Sequence, residues 1–174
     1  MATPIERPDS SEYAPFYAGY VSQVPEGDVL DLLARQIDDT TALIGGLSEA
    51  QAGHRYAPGK WSIKEIVGHV ADAERVFSYR ALRIGRNDQT PLPSFDENAW
   101  MPYGNFDAQP LANLLSELRA VRQSTLALYR SFTPEAVVRR GVASQKEISV
   151  RAIIYVTAGH ERHHVGILRD RYLK

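Results

Sequence analysis

The segment that leaves this chain the fewest choices of fold is residues 149–173, "SVRAIIYVTAGHERHHVGILRDRYL". Its apolar residues recur at helical spacing. At 100° per residue, Ile153, Thr157, His160, His164 and Ile167 fall within about 40° of one line. A helix from about Ser149 to Tyr172 therefore buries a stripe whose centre holds two imidazoles one turn apart. Such a stripe needs other helices to pack against, and the rings need partners.

The rest of the chain supplies those helices. A first helix runs from about Asp28 to Leu47, with Val29, Leu33, Ile37 and Ile44 in its apolar row, and Gly45 and Gly46 weaken its last turn. A second opens at "WSIKE", where Ser62 followed three residues on by Glu65 is a capping box. Its stripe is Ile66, Val70, Ala73, Phe77, Ala81 and Ile84. Residues 87–107, with Pro91, Pro93, Pro102, Phe95, Trp100, Tyr103 and Phe106, form a loop long enough to act as a lid or a crossover. Asp107 is expected to cap a third helix, "AQPLANLLSELRAVRQSTLALYRSF". Residues 137–148 leave room for a short strand. Four amphipathic helices predict an all-α protein, a four-helix bundle over residues 28–174. Residues 1–27 hold four prolines and Tyr13, Phe16, Tyr17 and Tyr20, and predict an arm packed on that bundle.

Several function classes drop out on composition. A net charge of −1 gives no basic footprint for nucleic acid or for an anionic membrane surface. No window approaches the roughly 20 apolar residues of a membrane span. The opening "MATPIERPDSSEYAPFYAGY" lacks a basic region followed by an apolar run, so a cytoplasmic location is expected. With no cysteine there is no disulfide, no thiolate ligand and no thiol nucleophile of the chain's own.

The histidines carry the chemistry. A lone histidine on an apolar face is usually a hydrogen-bonded core residue. His160 and His164, an i, i+4 pair, sit close enough to share one ion, and neutral imidazole suits nickel, zinc and iron. A third ligand must come from another helix. His69 lies about 60° from Ile66 on the shoulder of the second stripe. Asp72 or Glu65 beside it is a candidate acceptor for its second ring N–H. His69 lies about 10 Å from its helix start, whereas the midpoint of the pair is about 15 Å from the end of its own helix. Matching those heights favours antiparallel second and fourth helices, hence up-down-down-up. His54, in a loop, keeps the ordinary structural reading of a lone histidine, Asp72 and Glu74 read as solvated helix-face carboxylates, and Arg75, Arg80, Arg83 and Arg86 as a solvated face or subunit contact.

"WSIKEIVGHVADAE" followed by "AGHERHHVGIL" resembles the DinB/YfiT-like superfamily of small metal-binding helical bundles, over roughly residues 28–172. The resemblance implies an up-down-down-up bundle with a nickel or zinc site on His69, His160 and His164, and often a homodimer. Characterised members include thiol S-transferases using bacillithiol or mycothiol, and a maleylpyruvate isomerase. Others carry hydrolase names.

Three histidines leave open positions on a metal, as catalytic sites do. The leading expectation is S-transfer to a small-molecule substrate, with a low-molecular-weight thiol as cosubstrate. The alternatives are hydrolysis by an activated water and a non-catalytic, metal-fastened stress-response or interaction module. No clear general base stands out, since Glu161 falls at the edge of its stripe. Trp100, Tyr103 and the N-terminal tyrosines are candidates to line the approach.

Overall fold

Each long helix but one begins at a side chain that takes up its first free amides. In the computed structural model, which describes residues 4–174, helix α1 spans Val29–Ile44. The Asp28 carboxylate accepts from the amides of Leu30 and Asp31. Helix α2 spans Ile63–Gly85 behind the expected Ser62–Glu65 capping box. Helix α4 spans Val150–Ile167 with Ser149 as its cap, and continues as a π turn over Leu168–Tyr172.

Helix α3, Leu111–Arg130, is the exception. Asp107 does not cap it, because Pro110 follows Gln109, and a residue before proline is driven out of the helical region. Gln109 is extended accordingly (φ −91°, ψ 146°). The Leu111 amide donates instead to Glu49 Oε1 at 3.0 Å, a cap supplied from another part of the chain. Asp107 accepts from Ser62 Oγ and Arg55, tying the start of α3 to the start of α2.

Contacts between helices fix the topology. Leu33 and Asp38 of α1 meet Arg122 and Arg119 of α3 in reverse order, so these helices are antiparallel. Ser62 meets Asp107, Glu74 meets Arg122 and Gly85 abuts Phe132, so α2 and the α3 segment run parallel. Tyr172 donates to the Trp61 carbonyl, while Arg139, ahead of α4, donates to the Gly85 carbonyl; α2 and α4 are antiparallel. Gln36 and Thr40 meet Ala158 and Glu161 in order, so α1 and α4 are parallel. The bundle is up-down-down-up, and residues 86–110 cross over between the parallel pair.

Strands β1 (Arg140–Ala143) and β2 (Lys146–Ser149) pair antiparallel ahead of α4. Ser144 (φ 52°) and Gln145 (φ 62°) are both left-handed, as a two-residue type I′ turn requires. The usual Asn-Gly signal is missing, which is why the sequence did not insist on this hairpin. The N-terminal residues lie against the bundle. Arg7 donates to the carbonyls of Val21 and Val24, Tyr155 donates to that of Ile5, and Glu12 pairs with Arg151. Tyr20 O sits where a Cβ on Gly159 would be, so only glycine lets the arm approach α4 this closely.

The core divides into two apolar clusters. One gathers Leu33, Phe77, Ile84, Tyr129, Ile153 and Ile154, the other Ile44, Ile63, Ile66, Leu114, Leu118 and Leu168. Near the junction of the two clusters every helix buries polar side chains: Gln36 and Thr40 on α1, Glu74 on α2, Arg122 on α3, His160 and Glu161 on α4. Glu74, expected at the surface, is buried and paired with Arg122, because α2 packs against both α3 and α4 and has little solvent face left. Among the described residues no helix is long and apolar enough to cross a membrane.

Candidate metal centre

His69 reaches the seam from α2, and His160 and His164 reach it from successive turns of α4. His69 Nε2 lies 3.1 Å from His160 Nε2, and His164 Nε2 lies 3.2 Å from the same atom. The three donor atoms are all within 4.8 Å of one another, and no carboxylate joins them among the described residues. Four-coordinate zinc with Zn–N bonds of 2.0–2.1 Å places its ligand nitrogens about 3.3 Å apart. The two separations from His160 match that spacing and the third pair lies within 4.8 Å, so the three rings are placed to hold one divalent cation.

The electrostatics agree with that fit. Burial moves the His69 imidazole down to about 4 and that of His164 down to about 3. Burial, with the neighbouring rings adding to it, holds His160 well below its ordinary value. Metal ligation requires neutral imidazole, and all three rings are neutral near pH 7. His164 Nδ1 is buried with no hydrogen-bond partner among the described residues. The outer acceptors expected for His69 are engaged elsewhere. Glu65 closes the capping box and meets Arg55, and Asp72 pairs with Arg75.

The imidazoles form the floor of a cleft of about 330 Å³. Its walls are mostly aromatic: Phe16, Tyr17, Tyr20, Trp61, Phe77 and Phe95. Trp61 packs on His69 with ring centroids 4.8 Å apart, Phe77 on His160 at 5.5 Å and Tyr20 on His160 at 5.3 Å. His163 is not part of the cluster; it turns toward Tyr20 at 5.4 Å. Of the aromatic candidates, Tyr17 and Tyr20 do line the cleft. Trp100 only backs Phe95, at 5.1 Å, and Tyr103 is 89% exposed. His54, in its loop, packs on Tyr172 and stays outside.

Two charged residues of the cleft were not anticipated, Arg80 and Glu97. Arg80 is buried rather than solvated, whereas Arg75 and Arg83 pair with Glu117 and Asp88 nearer the surface. A signal for Arg80 was available: eleven residues after His69 is three helical turns, within about 20° of the same line. Glu161 faces away from the cleft. It accepts from Gln36, Thr40 and Arg122 and is 1% exposed.

The family model described as the DinB superfamily matches residues 32–168. A protein of Oceanobacillus iheyensis, provisionally named a metal-dependent hydrolase, is 27% identical over 84% of this chain and 89% of its own. YfiT of Bacillus subtilis, with the same provisional name, is 23% identical over 71% of each chain. In structure, YfiT superposes with a TM-score of 0.75 at 18% identity, covering 91% of both chains, and is described as having an unusual four-helix bundle topology. A mycothiol-dependent maleylpyruvate isomerase superposes with a TM-score of 0.67 at 14% identity, over 83% of this chain and 61% of that one. At such identities these two share the fold.

Proposed function

The chain belongs to the DinB superfamily, and on that premise we propose that it is a metal-dependent enzyme joining a low-molecular-weight thiol to an electrophilic small molecule. The observation that carries this reading is the convergence of three neutral imidazole nitrogens on the floor of an aromatic cleft. His69, His160 and His164 would hold the ion, with nickel or zinc suited to an all-imidazole set. A divalent ion held there acidifies a thiol or a water and makes it nucleophilic near neutral pH. The chain's own part is to keep the rings unprotonated by burial, to fix their convergence on two packed helices and to exclude bulk water. Trp61, Phe77, Phe95 and Tyr20 supply that exclusion and an apolar surface for an organic substrate.

The carboxylates favour the thiol over water. A water on the ion is helped by a base within hydrogen-bond reach of the proton it loses. Glu161 is locked in its ion pair and Asp72 is held by Arg75, which leaves Glu97 as the one carboxylate lining the cleft among the described residues. A thiol is acidic enough to need no such base, and no cysteine of the chain competes with it. Hydrolysis stays as the second reading because Glu97 shares the cleft and because the curated relatives carry hydrolase names.

Nickel- or zinc-loaded protein, given a panel of low-molecular-weight thiols and a haloalkyl electrophile, should form the thioether and release halide. His164→Ala should abolish this and Glu97→Gln should leave it nearly unchanged. Thiol-independent ester cleavage that disappears in Glu97→Gln would replace this reading with the hydrolytic one.

A further inference from the structure

Arg80 carries a charge that the fold leaves unmatched. The residue is 3% exposed, yet it lines the same cleft as the histidines. Its Nη2 donates to the Pro93 carbonyl at 2.7 Å and to Ser144 Oγ at 3.0 Å, and Nη1 reaches Tyr17 Oη only at 3.5 Å. All three partners are neutral. Among the described residues Arg80 forms no ion pair, and Glu97, which lines the same cleft, does not pair with it. The other deeply buried arginine, Arg122, is paired with two carboxylates. Taking an ion out of water costs several kcal/mol unless an opposite charge is close. The Phe95 face, 5.6 Å away, returns only part of that.

The position of the group is as telling as its charge. Arg80 lies on the His69 line of α2, about 16 Å further along the axis before its long side chain turns into the cleft. Phe77 sits between them and touches His160. The cleft thus has metal-ligating nitrogens at one end, aromatic walls along its length and a guanidinium at the other end. Ser144 comes to Arg80 from the hairpin turn, where two non-glycine residues are held at φ 52° and 62°. Left-handed backbone at such residues costs on the order of 1 kcal/mol each, and strain of this kind gathers at binding sites.

We propose that Arg80 is a substrate-binding residue: the cleft takes an organic molecule with an apolar body and a terminal carboxylate, which Arg80 receives while the reactive end lies over the histidines. With Nη2 committed to Pro93 and Ser144, Nε–H or an Nη1–H remains to donate one charge-assisted hydrogen bond to the carboxylate. This rests on the cleft being the substrate site of the function proposed above, but it does not depend on whether thiol or water is the nucleophile.

The test compares hydrocinnamate with its neutral amide, hydrocinnamamide, as probes of the purified protein without thiol. Binding is read by calorimetry and by the fluorescence of Trp61 beside the cleft. The carboxylate should bind at least about 10-fold tighter, the value of one charge-assisted hydrogen bond of roughly 1.5 kcal/mol or more. That preference should vanish in Arg80→Met, survive in part in Arg80→Lys, and persist in His164→Ala, which separates the guanidinium from the metal as the anion's partner. Should Arg80→Met fail to fold, the wild-type protein still decides: phenylglyoxal modification of Arg80, followed by mass spectrometry, should be blocked by hydrocinnamate and not by the amide. Equal affinities for the two probes, or no selective protection, would overturn the proposal. Loss of thiol turnover with the carboxylate preference intact would count only against the S-transfer reading.

Discussion

On the α1–α3 side of the polar layer, Arg122 gives Nε and Nη2 to Glu74, Nη1 to the Leu33 carbonyl, and shares Nη2 with Glu161. On the α2–α4 side of the same layer, three imidazoles turn their nitrogens toward one another, and His164 Nδ1 has no partner among the described residues. Both halves bury polar groups at the level where the two apolar clusters meet. In one half each charge is answered within hydrogen-bonding distance, and only the neutral Gln36 Oε1 and Thr125 Oγ1 lack a partner among the described residues. The other is three neutral imidazoles hydrogen-bonded only to one another among the described residues, at the floor of an open cleft. A complete network fastens helices; an incomplete one beside a cleft is arranged for something the chain does not itself carry.

That contrast can be broken first with acid. The metal-free protein should lose stability as pH falls from about 6.5 toward 4. Over that interval the unfolded histidines take up protons that the buried rings, held down to about 4 at His69 and about 3 at His164, refuse. The slope is on the order of 1.4 kcal/mol per pH unit from each ring. Denaturant titrations across this range should show it, and replacing His69, His160 and His164 by asparagine should flatten it. A flat profile in the unsubstituted protein would mean that the rings are not neutral and buried together.

The complete half is tested by Arg122→Met, which leaves Glu74 and Glu161 buried without their cation. The expected loss is about 3–5 kcal/mol in chemical denaturation. His164→Ala, by contrast, should abolish metal uptake with little loss in the metal-free state. If the two substitutions had equal effects on metal-free stability, the division into a fastening half and a ligating half would fail.

A smaller effect is expected where the arm closes the cleft. Gly159→Ala puts a methyl group against Tyr20 O, at a cost of about 1–3 kcal/mol. It should displace the Tyr20 ring from His160 and His163, which proteolysis of the N-terminal segment would report. The smallest is Gln145→Gly at the hairpin turn, which relieves a left-handed residue and should raise stability by up to about 1 kcal/mol.

The sequence made one half of the layer far more legible than the other. His160 and His164 stand one turn apart on a buried stripe, and His69 lies at a compatible height on another helix, so periodicity alone brought the three together. Glu74 and Glu161 follow the same periodicity but point toward a second buried face. A single-stripe reading puts Glu74 in solvent and Glu161 at the stripe's edge, and only the packing of α2 against α3 and α4, and of α4 against α1, shows otherwise. Arg122 was equally invisible, because nothing in its local sequence separates a buried arginine from a surface one. The capping box at Ser62 was readable because it is local. The cap on Leu111 was not, because Glu49 supplies it from 62 residues away. Arg80 stood on the His69 line, and its reading as a surface charge came from grouping it with Arg75, Arg83 and Arg86 by residue type rather than by angle.

The central claim is that three imidazoles from two helices share one divalent cation. Elemental analysis of the purified protein beside its His69→Ala variant tests it most directly. One equivalent of metal in the first and little in the second is the result predicted. No metal in either after exposure to nickel and zinc, or the same content in both, would contradict it.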